Sequence, residues 1–441
     1  MQLNRSMNKS TVRHKLILTA MTIYIIVFYP LIYQAFADSS LLATFNKLAL
    51  FGLLLLFVVV NRQFINRVTA NQTNKLLLLS LVYMAFSLLL YSPNLSMQDA
   101  AREMLYVFVP ILFFYIFEMF EPDEQAYFMN VVIWSLLAVI GVGVLNLVFG
   151  IVLPIGNMQA ALTHHGVNFQ SYYSAMEMGY VIQLLFAMTL FRLPEKTILT
   201  RFRAPFLIVL FILGVLTLQR GCYMGLGLAI IFYLISNIKY YFTLDRKAII
   251  AFIANAAILI LAAVLLVRYW YEFTTFLSKR IGVDIKKFVR SELTTFRLND
   301  VMSDRTEQAK ISNTDNLFHF LFGEGFAKYS PNNRATIRKM PDASYYRIFD
   351  ELGLIGFFVF FIPYVLMIWR AFKSKRVFAL YCILETFIAF FFNRILWMIP
   401  LNFIIYPMFS MTLNKKSCFY PKQIPQSAEA TASDNAVKEE T

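Results

Sequence analysis

Apolar runs long enough to cross a lipid bilayer recur from one end of the chain to the other. A transmembrane helix needs about 20 consecutive, mainly apolar residues, and the first such run covers residues 16–37. That run has full spanning length and no convincing small-residue cleavage site, so we interpret it as a first span rather than a cleaved signal peptide. The recurrence of such runs predicts an all-α, polytopic transmembrane helical bundle.

Composition agrees with lipid as the solvent for most of the chain. Of the 441 residues, 59% are hydrophobic and 15% are charged, whereas soluble domains carry about 25% charged residues. A formal net charge of +14 would suggest a nucleic-acid partner for a soluble protein. Here the basic residues lie in short connections between apolar runs, so we predict no such partner. The three cysteines, Cys222, Cys382 and Cys418, are too scattered for a disulfide framework or a zinc site.

Twelve spans account best for these runs, and the short connections between some of them allow a range of ten to twelve. They lie near 16–37, 41–60, 76–92, 104–120, 128–153, 172–191, 204–218, 222–237, 248–267, 352–372, 377–392 and 396–413. The chain therefore divides into a first transmembrane part at 1–267, a large loop at 268–351, the last spans at 352–413 and a tail at 414–441. The tail has little apolar content, which predicts disorder.

Lysine and arginine residues are concentrated in connections on one side of this predicted bundle. Cytoplasmic loops of membrane proteins carry an excess of both residues, so we predict that this side and both termini are cytoplasmic. One loop on that side, residues 121–124, is acidic and gives no support. The basic segments are 5–15, 62–75, 192–203, 239–247, 370–376 and 415–416.

The opposite side has short connections and the single long loop at 268–351, which is large enough to form a site. Residues 268–271 begin this loop with an aromatic and cationic cluster suited to a lipid–water interface. Residues 279–290 have apolar side chains on one face and basic ones on the other. They form either a helix on the membrane surface or a helix packed on the loop's own core.

Three charged residues on the outward side are candidates for chemistry. Arg220 lies in the tight connection between spans seven and eight, where a cation runs against the usual charge bias. It either serves a site or extends to lipid headgroups. Arg305 lies among charged residues of the long loop, where an arginine is most often solvated surface. Asp342 precedes the tenth span and has the position of a helix N-cap.

Four further residues are candidates for substrate binding. Arg102 and Arg394 fall on the outward side and extend a cationic cavity there. His165 lies in an outward loop beside a second histidine, a pair that lacks the spacing of a metal site; ordinary loop surface is the alternative. Glu177 is a charge inside the sixth span, where such groups pair or line a cavity. We predict neither a metal site nor a cofactor.

Three segments in the second half of the chain resemble motifs of the O-antigen ligase and polymerase superfamily. Residues 219–229, Gln-Arg-Gly-Cys-Tyr-Met-Gly-Leu-Gly-Leu-Ala, resemble its Ser-Arg-Gly sequence followed by apolar and small residues. Arg305 followed by 321–326, Leu-Phe-Gly-Glu-Gly-Phe, resembles its loop arginine and Leu-hydrophobic-Gly-x-Gly turn. Residues 342–356 resemble its Asp-Asn-Ser-Tyr-Leu to Gly-Leu-Ile-Gly segment. The resemblance covers about residues 205–365.

This resemblance implies a polymerase of oligosaccharide repeat units carried on undecaprenyl diphosphate, acting at the periplasmic face of a bacterial inner membrane. O-antigen ligases have a histidine where this chain has Asp342, whereas Wzy-type polymerases commonly have aspartate. In such an enzyme Arg220 and Arg305 would hold the diphosphate, and Asp342 would orient or deprotonate the acceptor hydroxyl. The implied partners are the lipid-linked oligosaccharide, membrane lipid and a chain-length regulator protein.

Three alternatives remain open at this stage. An O-antigen ligase is the nearest, and Asp342 counts against it. A flippase or other transporter would share the spans and charge pattern, but transporters often contain internal repeats, which we do not find. A polyprenyl-phosphate-sugar glycosyltransferase of the C type would have a large first outward loop, whereas only residues 38–40 lie there.

Overall fold

The computed structural model is helical throughout the regular structure of its described residues, as predicted. It describes residues 15–35, 45, 46, 48–50, 52, 53, 56, 71–91, 97–118, 120–149, 169, 171, 173–195, 197–217, 219–242, 250, 257, 268, 316–326, 328, 344–392, 398–414 and 417–419.

Twelve helices can be delimited in these residues. The first, α1, covers 15–35 and contains a π-helical segment at Tyr24–Phe28. The others are α2 (Gln72–Tyr91), α3 (Met97–Phe117), α4 (Pro122–Phe149), α5 (Ala175–Phe191), α6 (Ile198–Arg201), α7 (Arg203–Leu216), α8 (Arg220–Phe242), α9 (Leu317–Phe322), α10 (Ser344–Lys373), α11 (Val377–Phe392) and α12 (Ile399–Leu413).

Helices overlap ten of the twelve predicted spans. Three of them, at Lys15–Tyr33, Pro122–Phe149 and Ser344–Lys373, are long and apolar enough to cross a membrane, and shorter apolar helices accompany them. Only residues 250 and 257 of the predicted span at 248–267 are described, and the surface helix at 279–290 and most of the large loop lie outside the described residues. The span at 41–60 is described only at scattered positions, so it is not delimited as a helix.

Large apolar side chains project from the outer surface of several helices. Trp134 in α4 is 57% exposed, and Ile231 in α8 and Val365 in α10 are exposed to a similar extent. In water, so many exposed apolar side chains would be unfavourable, whereas lipid solvates them without cost. The surface therefore fits a protein whose helices face lipid.

Helix α10 consists of two helical segments joined at Gly353, whose φ of 68° and ψ of −173° are not helical. The ring centroids of Tyr345 and Phe361 are 4.8 Å apart, although 16 residues of straight helix would separate them by about 24 Å. The short segment at 344–352 therefore folds back along the long segment at 354–373. The long segment coincides with the predicted span at 352–372.

Contacts between helices gather residues of four predicted basic segments at one end of the bundle, which we call the basic end. The helix ends that meet there include the starts of α1, α4 and α11 and the ends of α5, α10 and α12. Contacts of basic side chains at this end include Lys15 over the Tyr127 ring at 5.3 Å, Arg203 to the Leu190 carbonyl oxygen at 3.0 Å, Arg370 to Thr73 Oγ1 at 3.3 Å, and Arg376 to the Thr412 carbonyl oxygen at 3.2 Å.

The start of the predicted tail packs on the basic end. Phe419 is buried, and its ring stacks on Phe378 at 5.5 Å, while Phe378 also contacts Phe191 at 5.2 Å. The backbone N–H of Cys418 donates to Gln125 Oε1 over 3.3 Å. The predicted tail is therefore packed at 417–419, and residues 420–441 lie outside the described part of the chain.

The opposite end of the bundle, which we call the site end, brings together the end of α2, the starts of α3, α5 and α8, the last turns of α11, and α9. Helix α2 connects the two ends, because Thr73 lies at the basic end and Ser87 follows 14 residues later, about 21 Å along the helix. Three contacts define the site end: Ser87 with Phe326, Glu103 with Arg347, and Tyr180 with Thr386.

Candidate functional site

Two of the segments that resemble family motifs interlock at the site end. The turn at 321–326 lies against the break in α10, where the N–H of Glu324 donates to the Asp350 carbonyl oxygen over 2.9 Å and that of Gly325 to the Glu351 carbonyl oxygen over 3.0 Å. Gly323 has φ 81°. A Cβ there would lie 2.6 Å from the Gly353 nitrogen, and a Cβ on Gly353 would lie 2.5 Å from the Leu321 carbonyl carbon. The interlock therefore requires glycine at both positions.

Helix α2 holds this interlock from the other side. The N–H of Phe326 donates to Ser87 Oγ over 3.1 Å, and Tyr83 Oη donates to the Leu352 carbonyl oxygen over 3.1 Å. Gly356 also faces Tyr83, since a Cβ there would lie 3.1 Å from ring carbon Cδ1. These contacts explain why the Leu-Gly-Leu-Ile-Gly sequence carries its second glycine.

A buried ion-pair cluster surrounds the interlock. Arg347 is 1% exposed and bonds Glu103 and Glu351, each at 2.9 Å. Lys328 bonds Glu324 and Asp350, each at 2.6 Å. We call Glu103, Glu324, Lys328, Arg347, Asp350 and Glu351 the ion-pair cluster. Removing one partner of such a buried pair costs several kcal/mol, because a buried charge then loses its counter-charge.

Sequence analysis did not identify the ion-pair cluster, although the spacing of two of its pairs is visible in the sequence. Glu324 with Lys328 and Arg347 with Glu351 are four residues apart. In the helical segment at 344–352 this spacing places Arg347 and Glu351 on one face. Glu103 precedes Arg347 by 244 residues. No local pattern relates those two, so only the packing of α3 beside α10 joins them.

A small pocket of about 20 Å³ lies between α5, α8 and α11 at the same end. Gln183 and Glu385 are 2% and 4% exposed, and Gln183 Nε2 donates to Glu385 Oε1. Gln183 Oε1 is buried and has no hydrogen-bond partner among the described residues. Its lining residues among those described are Met176, Tyr180, Gln183, Gln219, Gly221, Cys222, Met224, Gly225, Leu228, Glu385, Ile388 and Ala389.

Glycines bring α5 and α8 close enough to form this pocket. A Cβ on Gly179 would lie 3.1 Å from Cys222 Cβ, and a Cβ on Gly225 would lie 2.5 Å from Gln183 Cδ. Small residues allow this approach between helices. Gly227 lies two residues further along α8, and a Cβ on it would have nothing within 4 Å. Gly225 therefore provides the space that the Gln183 side chain occupies.

The structure describes the predicted catalytic residues unequally. Arg220 is the first residue of α8, between the lining residues Gln219 and Gly221, but its side chain lies outside what is described. Arg305 and Asp342 lie outside the described residues entirely.

One turn of α11 connects Tyr345 with the pocket at the start of α8. Tyr345 Oη donates to the Phe387 carbonyl oxygen over 2.6 Å, and the next two residues of α11 line the pocket beside Gln219.

The structure also describes the predicted substrate-binding residues unequally. Arg102 lies at the start of α3, immediately before Glu103 of the ion-pair cluster, with its side chain outside the described part. His165 and Arg394 lie outside the described residues. Glu177 forms a capping box at the start of α5, where its Oε2 accepts from the Ser174 N–H over 2.8 Å and from Ser174 Oγ over 2.9 Å. These bonds satisfy the Glu177 carboxylate within the protein, so a charged residue in the predicted sixth span needs no ligand to explain it.

Replacing Ser174 with alanine is expected to lower the free energy of unfolding by about 1 kcal/mol, because the Glu177 N–H loses its capping acceptor. Denaturant titration of the purified protein in bicelles would measure the change. Glu177→Gln is the matched control, since an amide oxygen can still accept from the Ser174 N–H. If alanine at 174 leaves stability unchanged, the cap has no energetic role. Loss of activity with stability retained in Glu177→Gln would support the predicted contact of Glu177 with substrate.

No protein-family model matches the chain, and no curated protein is similar to it. Among the described residues, no group of three or more His, Cys, Asp or Glu side chains is arranged to hold a metal ion.

Proposed function

We propose that the chain is an integral-membrane polymerase that transfers glycans between undecaprenyl diphosphate carriers. One observation carries the proposal: segments that resemble family motifs, although far apart in the sequence, meet at one end of an apolar helical bundle. The turn at 321–326 interlocks with 351–356, and residues 219–221 begin a helix at the same end. A membrane enzyme acting on a lipid-linked sugar needs such a polar region beside apolar helices.

In this proposal the chain crosses a bacterial inner membrane twelve times, with its basic end and both termini in the cytoplasm. The clustering of Lys15, Arg203, Arg370 and Arg376 at one end supports that orientation. The site end then faces the periplasm, the side to which we also assign the large loop at 268–351. A chain-length regulator protein is the proposed partner.

The proposed reaction breaks the bond between the anomeric carbon of the growing glycan and the diphosphate oxygen. A hydroxyl of a second lipid-linked unit attacks that carbon, loses its proton and forms the new glycosidic bond, and undecaprenyl diphosphate leaves. Arg220 and Arg305 stabilise the charge that develops on the leaving group, because guanidinium binds phosphate oxygens bidentately. Asp342 orients or deprotonates the hydroxyl, and Arg102 and Arg394 extend the cationic surface.

Replacing Arg220 with alanine is expected to lower the rate of polymerisation about 100- to 1,000-fold, the usual cost of one lost charge-stabilising donor. The assay supplies lipid-linked repeat units, extracted from cells that lack this gene, to purified protein in nanodiscs and resolves the products by length. Arg201→Ala is the control, because Arg201 is an exposed arginine at the basic end. Normal polymer from Arg220→Ala at equal protein level would refute the assignment.

The phenotype of a deletion strain separates this proposal from its alternatives. Loss of a polymerase leaves single repeat units on the lipid core, whereas loss of a ligase leaves none. Loss of a flippase leaves the units on the cytoplasmic side of the membrane. Single units on the core of the deletion strain are therefore the expected result.

A further inference from the structure

We infer that helix α9 lies in the membrane, at the boundary between the hydrocarbon core and the headgroups of the leaflet at the site end, and that its exposed side chains bind lipid. Part of the segment predicted as a large loop, 268–351, then lies in the bilayer rather than in water. This surface goes beyond the proposed function and does not rest on it, because helices that cross a membrane in this arrangement would place α9 at that level whatever the protein does.

The residues of α9 are suited to lipid. Five of its six residues are leucine or phenylalanine, and the sixth is His319. Leu317 is 72% exposed and Phe318 is 50% exposed. Neighbouring large apolar side chains are unfavourable on a surface that faces water. At a membrane surface, such side chains enter the region where headgroups meet acyl chains.

Helix α10 measures the depth of α9. Its long segment, 354–373, is about 30 Å long, which matches the thickness of a hydrocarbon core. Exposed Lys373 ends this segment at the basic end, so Gly353 lies near the opposite boundary. Leu321 of α9 packs against this glycine, since a Cβ on Gly353 would lie 2.5 Å from the Leu321 carbonyl carbon. Helix α9 is therefore near the boundary at the site end.

Helix α2 gives the same depth independently. Thr73 contacts Arg370, one turn before Lys373. Ser87 lies about 21 Å along α2 from Thr73, and its Oγ accepts the Phe326 N–H over 3.1 Å. The turn after α9 is therefore about 25 Å from the level of Lys373, just inside a core of about 30 Å.

Residues that face lipid continue up to this level. Phe86, immediately before Ser87 in α2, is 54% exposed, and Phe358 in α10 is exposed to the same extent. Ring contacts connect α9 with Phe358: Phe320 to Phe349 at 5.8 Å, Phe349 to Phe357 at 6.1 Å, and Phe357 to Phe358 at 6.0 Å. Helix α9 therefore adjoins a surface that lipid already solvates.

The backbone after α9 is compatible with this position. The N–H groups of residues 323–326 all donate, in turn to the carbonyl oxygens of His319, Asp350 and Glu351 and to Ser87 Oγ. At membrane depth, non-helical backbone occurs where its polar groups are satisfied within the protein. The interlock meets that condition.

Fluorescence quenching tests the position of α9 without an activity assay. The three native cysteines, Cys222, Cys382 and Cys418, are replaced with alanine, and Leu317→Cys carries a bimane label. The protein is reconstituted in nanodiscs that contain lipid spin-labelled either near the headgroup or near the middle of the acyl chain, and iodide serves as the aqueous quencher. The label at 317 is expected to lose more fluorescence to the shallow spin label than to the deep one, and little to iodide.

Two positions calibrate this measurement. Val365 is 53% exposed and lies about 12 Å from the level of Lys373, so a label on Val365→Cys should be quenched most by the deep spin label. Glu121 is exposed at the basic end, and a label on Glu121→Cys should be quenched most by iodide. Thermal unfolding verifies that each variant is folded.

A crosslinking experiment covers the case in which the cysteine-free protein does not fold. Phe318 is replaced with p-benzoylphenylalanine in the otherwise natural chain, and light joins the probe to whatever contacts it. A crosslink to lipid in the nanodisc is expected. The same replacement at Phe360, which is 2% exposed, should give crosslinks within the protein only.

Three results would overturn the inference. Iodide quenching at 317 as strong as that at 121 would place α9 in water. Protection from all three quenchers, or a crosslink from 318 to protein alone, would show that another part of the chain or a second copy covers α9. Stronger quenching at 317 by the deep spin label would place α9 near the middle of the bilayer. The polymerase proposal is tested separately, by the polymerisation assay with Arg220→Ala.

Discussion

Replacing Arg347 with methionine is expected to lower the free energy of unfolding by about 3–5 kcal/mol, the cost of removing one partner from a buried ion pair. Methionine approximates the length of the arginine stem, so the main change is the loss of charge opposite Glu103 and Glu351. Both carboxylates are buried, and within the part of the chain that is described the cluster would then hold Lys328 against four carboxylates.

Denaturant titration in bicelles would measure this change, with Lys373→Met as the matched control. Lys373 is exposed at the basic end of α10, and surface charges contribute less than about 1 kcal/mol. A loss below about 1 kcal/mol for Arg347→Met would show that the cluster does not stabilise the fold.

A double-mutant cycle separates the ion pair from general packing. Glu103→Gln removes the charge across the 2.9 Å contact between α3 and α10. In the Glu103→Gln background, Arg347→Met should cost less than it does alone, by about 1–3 kcal/mol of coupling. Strictly additive effects would contradict a direct charge interaction.

Replacing Gly353 with alanine is expected to destabilise the protein by about 3 kcal/mol or more and to abolish polymerisation. A side chain at φ 68° and ψ −173° costs about 1–3 kcal/mol in backbone strain. Its Cβ would also lie 2.5 Å from the Leu321 carbonyl carbon, and such overpacking costs about 1–3 kcal/mol more. The turn at 321–326 would separate from α10, and the hydrogen bonds to the carbonyl oxygens of Asp350 and Glu351 would break.

Gly141→Ala is the control for Gly353→Ala, because α4 has nothing within 4 Å of that point. Alanine there should leave stability unchanged or raise it by about 1 kcal/mol, the helix-propensity difference. Both variants are compared by unfolding titration and by the nanodisc polymerisation assay. A stable, active Gly353→Ala protein would mean that the interlock is dispensable.

The helices were largely predictable from the sequence, and their termini less so. A spanning helix satisfies its backbone within the segment and needs an apolar run of fixed length, so the signal is local. Helices match ten predicted spans, including the long segment of α10, whose predicted start at 352 is adjacent to the break at Gly353. Helix α3 begins at Met97, before the predicted 104, because its first turns are polar and hydropathy does not detect them.

The candidate site was predictable only as a set of separate segments. Resemblance to family motifs identified three segments, residues 219–221, 321–326 and 351–356. Nothing in the sequence predicted that the last two interlock. Gln183 and Glu385 were not predicted as a pair, because they are 202 residues apart and each looks like an isolated polar residue in an apolar helix.

The sequence by itself determined the helical class, most helix positions and the separation of basic from other connections, because hydropathy, helix length and loop charge are properties of contiguous residues. Only the tertiary structure decided which polar groups meet: Arg347 with Glu103, Gln183 with Glu385, and Gly323 with Gly353. Such pairs depend on how distant helices pack, and packing is set by the shapes of whole helix surfaces, to which no short stretch of sequence corresponds.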